Sequence, residues 1–299
     1  MKSLLRASPL LLFLCLVALA QAITVGTYNV ANYLVTDRMA EGTYRQAYPK
    51  PESEKIALRR AIAGFAPDVL ALQEMGKPEF LAELQRDLQA EGLDYPHAFV
   101  LEAADADRHV AVLSKLPFKE VHRHTQVPIE LFGQPDVVKR GVLEVVLATE
   151  QGDLSLFVIH LKSRRTERPD DPQGETQRTL EATAVRDLVL ARFPDPAQAK
   201  FIVAGDWNDV RTSKPVRALQ KRGKLDVGEL LRATDSRGET WTHAYYREDS
   251  YSRIDYLMVS PGLRPFVAND AAVVHDGEGV RTASDHRPVY VKLKLEPAK

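Results

Sequence analysis

The segment Ser284-Asp285-His286-Arg287-Pro288-Val289 places an acid and a histidine directly before the last apolar run of the chain. That run, Val289-Tyr290-Val291-Lys292-Leu293, alternates in character along its length and predicts a strand. Asp285 can bind a hard cation, and His286 can donate or accept a proton near neutral pH. Because Asp-His pairs also occur in ordinary surface turns, the rest of the sequence decides what this pair means.

Further polar residues lie where other predicted strands begin or end. The predicted strands are apolar, β-branched runs that include residues 23–30, 69–74, 154–160, 201–205 and 254–259. The polar residues at their ends are Asn29, Glu74, His160, Asp206, Asn208 and Asp255. One such residue is usually a turn former or a cap, but a series of them at strand boundaries predicts one shared cleft.

The chain alternates strands with a few helices. Helical spacing of apolar residues predicts helices over residues 54–65, 79–91 and 176–193. Residues 142–148 and 154–160 are predicted to pair antiparallel around Gln151-Gly152-Asp153, and residues 110–114 form a further strand. This pattern indicates a layered α/β protein and is too irregular for an eight-unit barrel. The absence of a linker or repeat favours one domain over residues 23–299.

Residues 1–22 have the pattern of a cleaved signal peptide. Lys2 and Arg6 precede an apolar run over residues 10–20, and small residues follow at Ala20 and Ala22. The run is shorter than the roughly 20 residues that a membrane span needs. We therefore expect a secreted or periplasmic protein that has no membrane span after signal cleavage.

Composition narrows the chemistry of the mature chain. Cys15, the only cysteine, lies in the predicted signal, so a metal site would use oxygen and imidazole ligands. The mature chain has 38 basic and 41 acidic residues, hence a net charge of about −3 with neutral histidines. Such a balance lends no support to tight binding of duplex nucleic acid, although a local basic groove remains compatible with it.

The residue types at the strand ends suit phosphate-ester chemistry. Asn29, Glu74 and Asp285 offer the hard oxygen ligands that Mg²⁺ or Mn²⁺ prefers, and Mg²⁺ commonly takes only one or two carboxylates from a protein. Asp255 is an acid in an apolar strand and needs a partner, for which His286 is the natural candidate.

Three further polar groups complete the predicted reaction. His160 and His286 are suited to stabilising a pentacoordinate phosphorus, and Asp206 to orienting or deprotonating a water. The predicted chemistry is metal-assisted hydrolysis of a phosphate ester.

A polar insertion over residues 162–177 follows His160. Its basic residues are Lys162, Arg164, Arg165 and Arg168. A segment of this length is either a solvated surface loop or a lid that faces the substrate. We predict that Lys162 and Arg164 contact a polyanionic substrate.

Taken in order, seven segments resemble the endonuclease/exonuclease/phosphatase superfamily, which includes DNase I-like nucleases, abasic-site endonucleases, sphingomyelinases and inositol polyphosphate 5-phosphatases. The segments are Tyr28-Asn29-Val30, Leu72-Gln73-Glu74, Val112-Leu113-Ser114-Lys115-Leu116-Pro117, His160-Leu161-Lys162-Ser163, Gly205-Asp206-Trp207-Asn208, Arg253-Ile254-Asp255-Tyr256 and Ser284-Asp285-His286-Arg287-Pro288-Val289. The resemblance implies a DNase I-like, four-layer α/β-sandwich, in which helices flank two packed, mostly antiparallel β-sheets.

The resemblance also implies a role for each strand-end residue. Asn29 and Glu74 correspond to the metal-binding pair, with Asp285 as a further ligand or water-mediated contact. Asp206 corresponds to the residue that activates the attacking water. The remaining implied roles are phosphate contact for His160, holding of the water or a phosphate oxygen for Asn208, and orientation of the phosphate-facing His286 by Asp255.

Two features of the motifs bear on the branch of the family. Ala31 stands where the DNA-repair branch places a second acid near the metal, which disfavours an abasic-site enzyme and leaves the number of metal ions open. His160-Leu161-Lys162-Ser163 resembles the version found in exported bacterial members.

We therefore expect an exported, monomeric, Mg²⁺-dependent phosphodiesterase that acts on a phosphate ester, with nucleic acid as one candidate substrate and Mn²⁺ as an alternative metal. A phosphomonoesterase acting on inositol or sugar phosphates and a sphingomyelinase-like phospholipid hydrolase are the alternatives. A non-catalytic binding module ranks last, because it has no need to keep Asp206, Asp255 and His286 together.

Overall fold

The computed structural model of the protein describes residues 22–297, so the predicted signal up to residue 21 lies outside the described residues. Two large β-sheets pack face to face. The first sheet has seven strands, in the spatial order Ala233–Thr234, Ala272–Val274, Val289–Leu293, Ile23–Tyr33, Val69–Met75, His109–Ser114 and His97–Leu101. The second has six, in the order Glu229–Leu230, Asp255–Val259, Phe201–Asp206, Leu154–His160, Val142–Leu147 and Phe118–His124.

Both sheets are mostly antiparallel, as expected. Parallel pairing joins Ile23–Tyr33 to Val69–Met75 and Ala233–Thr234 to Ala272–Val274 in the first sheet. In the second sheet it joins Leu154–His160 to Phe201–Asp206. The predicted hairpin of Val142–Leu147 with Leu154–His160 is confirmed.

Helices cover the outer face of each sheet. The helices Glu52–Phe65, Pro78–Ala90 and Val280–Ala283 share an apolar cluster with the first sheet. The helices Glu175–Arg192 and Lys214–Gln220 share another with the second sheet. The predicted four-layer α/β-sandwich is therefore confirmed, and the predicted helices agree with the observed bounds to within two residues.

The largest apolar cluster lies between the sheets and explains why they pack. Inward-facing residues alternate along each strand, such as Val69 and Ala71 on one sheet and Leu156 and Val158 on the other. Each fully buried Val or Leu contributes about 1.5–3 kcal/mol relative to its exposed state. This interface fixes the two sheets against each other and so fixes the strand ends that carry the polar residues.

Four small hairpins extend from the sandwich, and the sequence patterns predicted none of them. They pair Thr36–Ala40 with Thr43–Tyr48, Pro128–Leu131 with Gln134–Val137, Lys221–Arg222 with Leu225–Asp226, and His243–Tyr245 with Ser250–Ser252. Three short 3₁₀ helices complete the described elements, at Tyr246–Glu248, Arg264–Phe266 and Ala268–Asp270. Over residues 22–297, no helix has the length and apolar character to span a membrane.

Candidate active site

Three site residues lie side by side on neighbouring interior strands of the second sheet, at the same end of those strands. His160 is opposite Asp206 across a parallel pair of strands, and Asp206 is opposite Asp255 across an antiparallel pair. Residues that are directly opposed on neighbouring strands share a face of the sheet, so the register alone brings these three side chains together. Gly205 permits this arrangement, because it has φ +148° and a Cβ there would lie 1.9 Å from the Ile159 carbonyl oxygen.

The Asp206 carboxylate is the centre of the cluster and is 1% exposed. Its Oδ2 accepts a hydrogen bond from Asn29 Nδ2 at 3.1 Å and lies 3.5 Å from His160 Nε2 and 3.9 Å from His286 Nε2. Its Oδ1 accepts a hydrogen bond from the Asn208 backbone N–H at 2.8 Å. The structure thus brings five of the predicted site residues into one contiguous group.

Asp255 and His286 form a buried pair. His286 Nδ1 lies 2.9 Å from one Asp255 oxygen and 3.1 Å from the other. Burial alone would lower the pKa of His286, but the neighbouring carboxylates of Asp255 and Asp206 raise it well above its usual range. These carboxylates therefore favour the charged form of His286, which presents Nε2 toward Asp206.

The other two titratable groups of the cluster shift in opposite senses. Burial raises the pKa of Asp206 to about 7, with a further contribution from the charge of Asp255 and an opposing one from His286. Burial, assisted by the positive charge of Arg140, lowers the pKa of His160 well below its usual range. A neutral imidazole and a carboxyl group that titrates near neutrality thus face each other in the site.

The predicted metal ligands lie around this cluster. Glu74 and Asp285 line the same cavity as Asp206, and Glu74 Oε2 accepts a hydrogen bond from the Asn32 N–H at 2.9 Å. Asn29 Oδ1 accepts one from the Ala31 N–H at 3.0 Å. Within residues 22–297, only one oxygen of the Glu74 carboxylate has a hydrogen-bond donor. Two carboxylates and an amide fit the oxygen-only preference of Mg²⁺ and its sparing use of protein acids.

The backbone around these ligands is strained. Ala31, Asn32 and Glu74 have φ values of +48°, +55° and +60°, in the left-handed region that disfavours residues with a Cβ. Each such residue costs on the order of 1–3 kcal/mol and persists only where its surroundings hold it. The strain coincides with an irregularity in the pairing of Ile23–Tyr33 with Val69–Met75.

The site opens into a cavity of about 890 Å³. The predicted residues that line it are Glu74, His160, Arg164, Asp206, Asn208, Asp285 and His286. Lys162 does not line it: its ammonium group donates to the backbone carbonyls of Ser163 and Arg165 and faces a neighbouring basic groove. Asn208 Nδ2 donates to the Leu161 carbonyl at 2.9 Å, so this side chain braces the loop after His160.

The polar insertion after His160 has no helix or strand until Glu175, yet it is anchored. Arg178 is 1% exposed and donates to Asp209 Oδ2 at 3.0 and 2.7 Å and to the Lys162 carbonyl at 3.0 Å. Asp209 also accepts from Arg164 at 2.8 Å. This network ties Arg164 to the segment that carries Asp206 and holds it at the wall of the cavity.

Several cavity residues had no signal in the sequence. They are Arg108, Arg140, His243, Tyr245 and Tyr251, whereas Arg165 belongs to the basic insertion noted in the sequence. His243 Nε2 lies 3.6 Å from Asp285 Oδ2, and its ring centroid lies 4.7 Å from that of His286. These residues lie in loops or in strands of a few residues, where no periodic pattern marks them.

Comparison with known proteins agrees with the fold. Residues 26–286 match the profile of the "Endonuclease/Exonuclease/phosphatase family". Among solved structures, the chain is similar to sphingomyelinase C from Streptomyces griseocarneus, with 18% identity, a TM-score of 0.62 and coverage of 91% of this chain and 99% of that one.

Two other solved structures show the same fold. The human nocturnin catalytic domain with bound sulfate has 16% identity, a TM-score of 0.63 and coverage of 93% of this chain and 95% of that one. A magnesium-bound mutant of beta toxin from Staphylococcus aureus has 13% identity, a TM-score of 0.62 and coverage of 91% and 99%. No curated protein sequence gave a significant match.

Proposed function

The chain belongs to the endonuclease/exonuclease/phosphatase family, whose members are phosphoester hydrolases, and from its site we propose that it is a metal-dependent, nuclease-like phosphodiesterase. The observation that carries the proposal is the position of Asp206. Its carboxylate contacts Asn29 and lies close to both His160 and His286, in a cavity that Glu74 and Asp285 also line. A proton acceptor, a positively charged group and oxygen ligands for a cation therefore lie close together in one cavity.

In the proposed reaction, Asp206 orients a water molecule and accepts its proton as the water oxygen bonds to phosphorus. The bond from phosphorus to the leaving-group oxygen breaks, and that oxygen takes a proton from solvent. A carboxyl group whose pKa lies at about 7 is well matched to general-base catalysis near neutral pH. The Asn29 and Asn208 hydrogen bonds fix the orientation of both Asp206 oxygens.

His286 stabilises the charge that develops on the phosphate. Asp255 holds its Nδ1–H, so the charged ring has one orientation and directs Nε2 into the cavity. His160 adds a neutral imidazole on the other side of Asp206. A Mg²⁺ or Mn²⁺ ion held by Asn29, Glu74 and Asp285 would supply Lewis-acid stabilisation of the phosphate oxygens.

The cavity walls support a nucleic acid as the substrate. Four guanidinium groups, two of which also pair with Asp105 or Asp209, suit a backbone with several phosphates, and two partly exposed tyrosines suit a planar base. They belong to Arg108, Arg140, Arg164, Arg165, Tyr245 and Tyr251. Phosphomonoesters of inositol or sugars, and a sphingomyelin-like lipid, are the alternative substrates.

The lining offers little surface for a lipid. Ala31 and Ile254 are its only aliphatic residues among those described, so an acyl chain would find few apolar contacts. The similar structure from Streptomyces griseocarneus is nevertheless a sphingomyelinase, and for this reason sphingomyelin stays among the substrates to be tested.

We also propose that the protein is exported to the periplasm or the medium and acts as a monomer. The support for export is the signal-like sequence of residues 1–22. The mass of the protein recovered from the periplasm and the medium shows whether residues 1–22 have been removed, which tests export. Its elution volume in size-exclusion chromatography tests the monomeric state. An intact N-terminus in the cytoplasm would contradict export.

An activity panel tests the function. Single-stranded DNA, RNA, sphingomyelin, inositol phosphates and a chromogenic phosphodiester are each incubated with Mg²⁺, with Mn²⁺ and with EDTA. We expect cleavage of the nucleic acids and the chromogenic diester with either metal and none with EDTA. Release of free phosphate from monoesters alone would favour the phosphomonoesterase, and no turnover of any ester would overturn the proposal.

A further inference from the structure

We propose that His243, Asp285 and His286 form a binding site for a transition-metal ion such as Zn²⁺. This site shares Asp285 with the proposed Mg²⁺ site around Glu74 and differs from it in having two imidazole ligands. Its three ligand atoms lie within 4.8 Å of one another at the wall of the catalytic cavity. Zinc binding itself is independent of the proposed function, and only its consequence for activity rests on that function.

The spacing of the ligand atoms is close to that of a tetrahedral zinc site. With Zn–N bonds of about 2.0–2.1 Å, tetrahedral ligand atoms lie roughly 3.4 Å apart. His243 Nε2 and Asp285 Oδ2 are already 3.6 Å apart, and the two imidazole rings have centroids 4.7 Å apart. Small side-chain rotations therefore suffice to close the site.

His286 has the hydrogen-bond partner that is typical of a metal ligand. A metal-bound histidine usually donates its other ring N–H to a carboxylate, which fixes the ring and strengthens its donor nitrogen. His286 Nδ1 makes this contact with Asp255 at 2.9 Å and leaves Nε2 toward the cavity.

The backbone holds the two histidines next to each other. His243 and His286 form an isolated antiparallel bridge. The Ala244 N–H donates to the Asp285 carbonyl at 2.9 Å, and the Arg287 N–H donates to the Thr242 carbonyl at 2.7 Å. The ligands are thus preorganised on a rigid segment, which lowers the cost of assembling the site.

The donor set selects the metal. Two imidazoles and one carboxylate, with a position left for water, are typical of zinc, whereas Mg²⁺ prefers oxygen ligands alone. Side-chain exposures of 22% for His243 and 49% for Asp285 leave the site open to an ion from solvent.

Occupation of the site has a consequence for catalysis. An ion bound to His286 Nε2 displaces the proton on that nitrogen, so the nitrogen that faces Asp206 can no longer donate a hydrogen bond to the phosphate. We therefore expect Zn²⁺ to inhibit hydrolysis even when Mg²⁺ is saturating.

Direct zinc binding tests the inference. The wild-type protein, His243→Gln and His122→Gln are titrated calorimetrically with Zn²⁺ at saturating Mg²⁺. His122 is a matched control, because it pairs with the Glu120 carboxylate at 2.8 Å but does not line the cavity. We expect His243→Gln to weaken zinc binding by about tenfold or more, since even the loss of a residue that only orients a metal ligand costs about 10–100-fold in metal affinity.

Two further readouts complete the test. The visible absorption of Co²⁺, added in place of Zn²⁺, should indicate nitrogen ligation that His243→Gln reduces. Zn²⁺ should also inhibit His243→Gln less than the wild type, when the rate of each protein with Zn²⁺ is divided by its rate without Zn²⁺. Equal zinc affinity in the wild type and His243→Gln, or a loss confined to His122→Gln, would overturn the inference even if the enzyme hydrolyses phosphodiesters as proposed.

Discussion

Asp206 and Asp255 lie directly opposite each other on two antiparallel strands, with both carboxylates buried and His286 in contact with Asp255 and 3.9 Å from Asp206. Two carboxylates this close raise each other's cost of ionisation, and a shared cation offsets that cost. Asp255 therefore pairs with the imidazole of His286, while burial raises the pKa of Asp206 to about 7. The proposed chemistry depends on this division of roles.

Substitution of Asp206 by Asn should separate activity from stability. Loss of the general base should lower kcat by about 10²–10⁴-fold. The pKa of Asp206 is raised from 3.8 to about 7 in the folded state, so ionisation of this group destabilises the metal-free protein as the pH rises from about 4 to about 7.

Asp206→Asn removes that penalty. Urea unfolding in EDTA should show that the variant is at least as stable as the wild type at pH 7.5 and loses less stability than the wild type between pH 5 and 7.5. A variant that is inactive and also strongly destabilised at pH 7.5 would contradict the assignment.

The Asp255–His286 pair should behave as a unit. Asp255→Asn and His286→Ala should each lower kcat by about 10²-fold or more, and the double variant should be little worse than the more damaged single variant, because groups that act together are not additive. Steady-state kinetics of the four proteins measures the coupling. Additive losses would mean that Asp255 and His286 act separately.

Arg287 should be structural, although it follows His286 in the motif. It donates to Asp235 at 2.8 Å and to the Trp241 carbonyl, and its guanidinium lies 3.5 Å from the centroid of the Trp241 ring. Arg287→Ala leaves the buried Asp235 without its buried ion-pair partner and should cost about 3–5 kcal/mol in the free energy of unfolding. Arg237→Ala is the control, since this exposed arginine lies 3.8 Å from the same carboxylate and its loss should cost less than about 1 kcal/mol.

The same ion pair predicts a sensitivity to acid. Burial would raise the pKa of Asp235, but Arg287 and the backbone N–H groups of Glu239 and Arg237 lower it to about 2. A lowered folded-state pKa stabilises the protein above about pH 4, and the stabilisation is lost as the pH falls toward 2. Urea unfolding should show a smaller loss of stability over that interval in Arg287→Ala than in the wild type.

Tyr245 should contribute to the binding of a base. It lines the cavity two residues after His243, on the same face of its strand, whereas the neighbouring Tyr246 does not line the cavity. A stacked base contributes about 1–3 kcal/mol, so Tyr245→Ala should raise KM for single-stranded DNA about fivefold or more. Tyr246→Ala should leave KM within about twofold. Equal effects of the two substitutions would remove Tyr245 from the substrate site.

The strand-end residues could be predicted from sequence because two short apolar runs end at His160 and Asp206 and a third begins beside Asp255. Sheet pairing then aligns these three positions. His243 could not be predicted in this way. It reaches the site through a hairpin of two three-residue strands, whose docking depends on the Ala244–Asp285 backbone contact. Lys162 is the opposite case. Its place in the motif predicted a substrate contact, but its ammonium group donates to the loop backbone.

The most direct test of the central claim is the metal dependence of phosphodiester hydrolysis in the wild type, Glu74→Gln and Glu79→Gln, the last being an exposed glutamate on the helix Pro78–Ala90. Turnover of single-stranded DNA is measured against Mg²⁺ concentration, with EDTA as the metal-free reference. We predict Mg²⁺-dependent cleavage by the wild type and Glu79→Gln, no cleavage in EDTA, and loss of most turnover in Glu74→Gln. Turnover that persists in EDTA, or a Glu74→Gln variant with a wild-type rate and Mg²⁺ dependence, would contradict the proposed site.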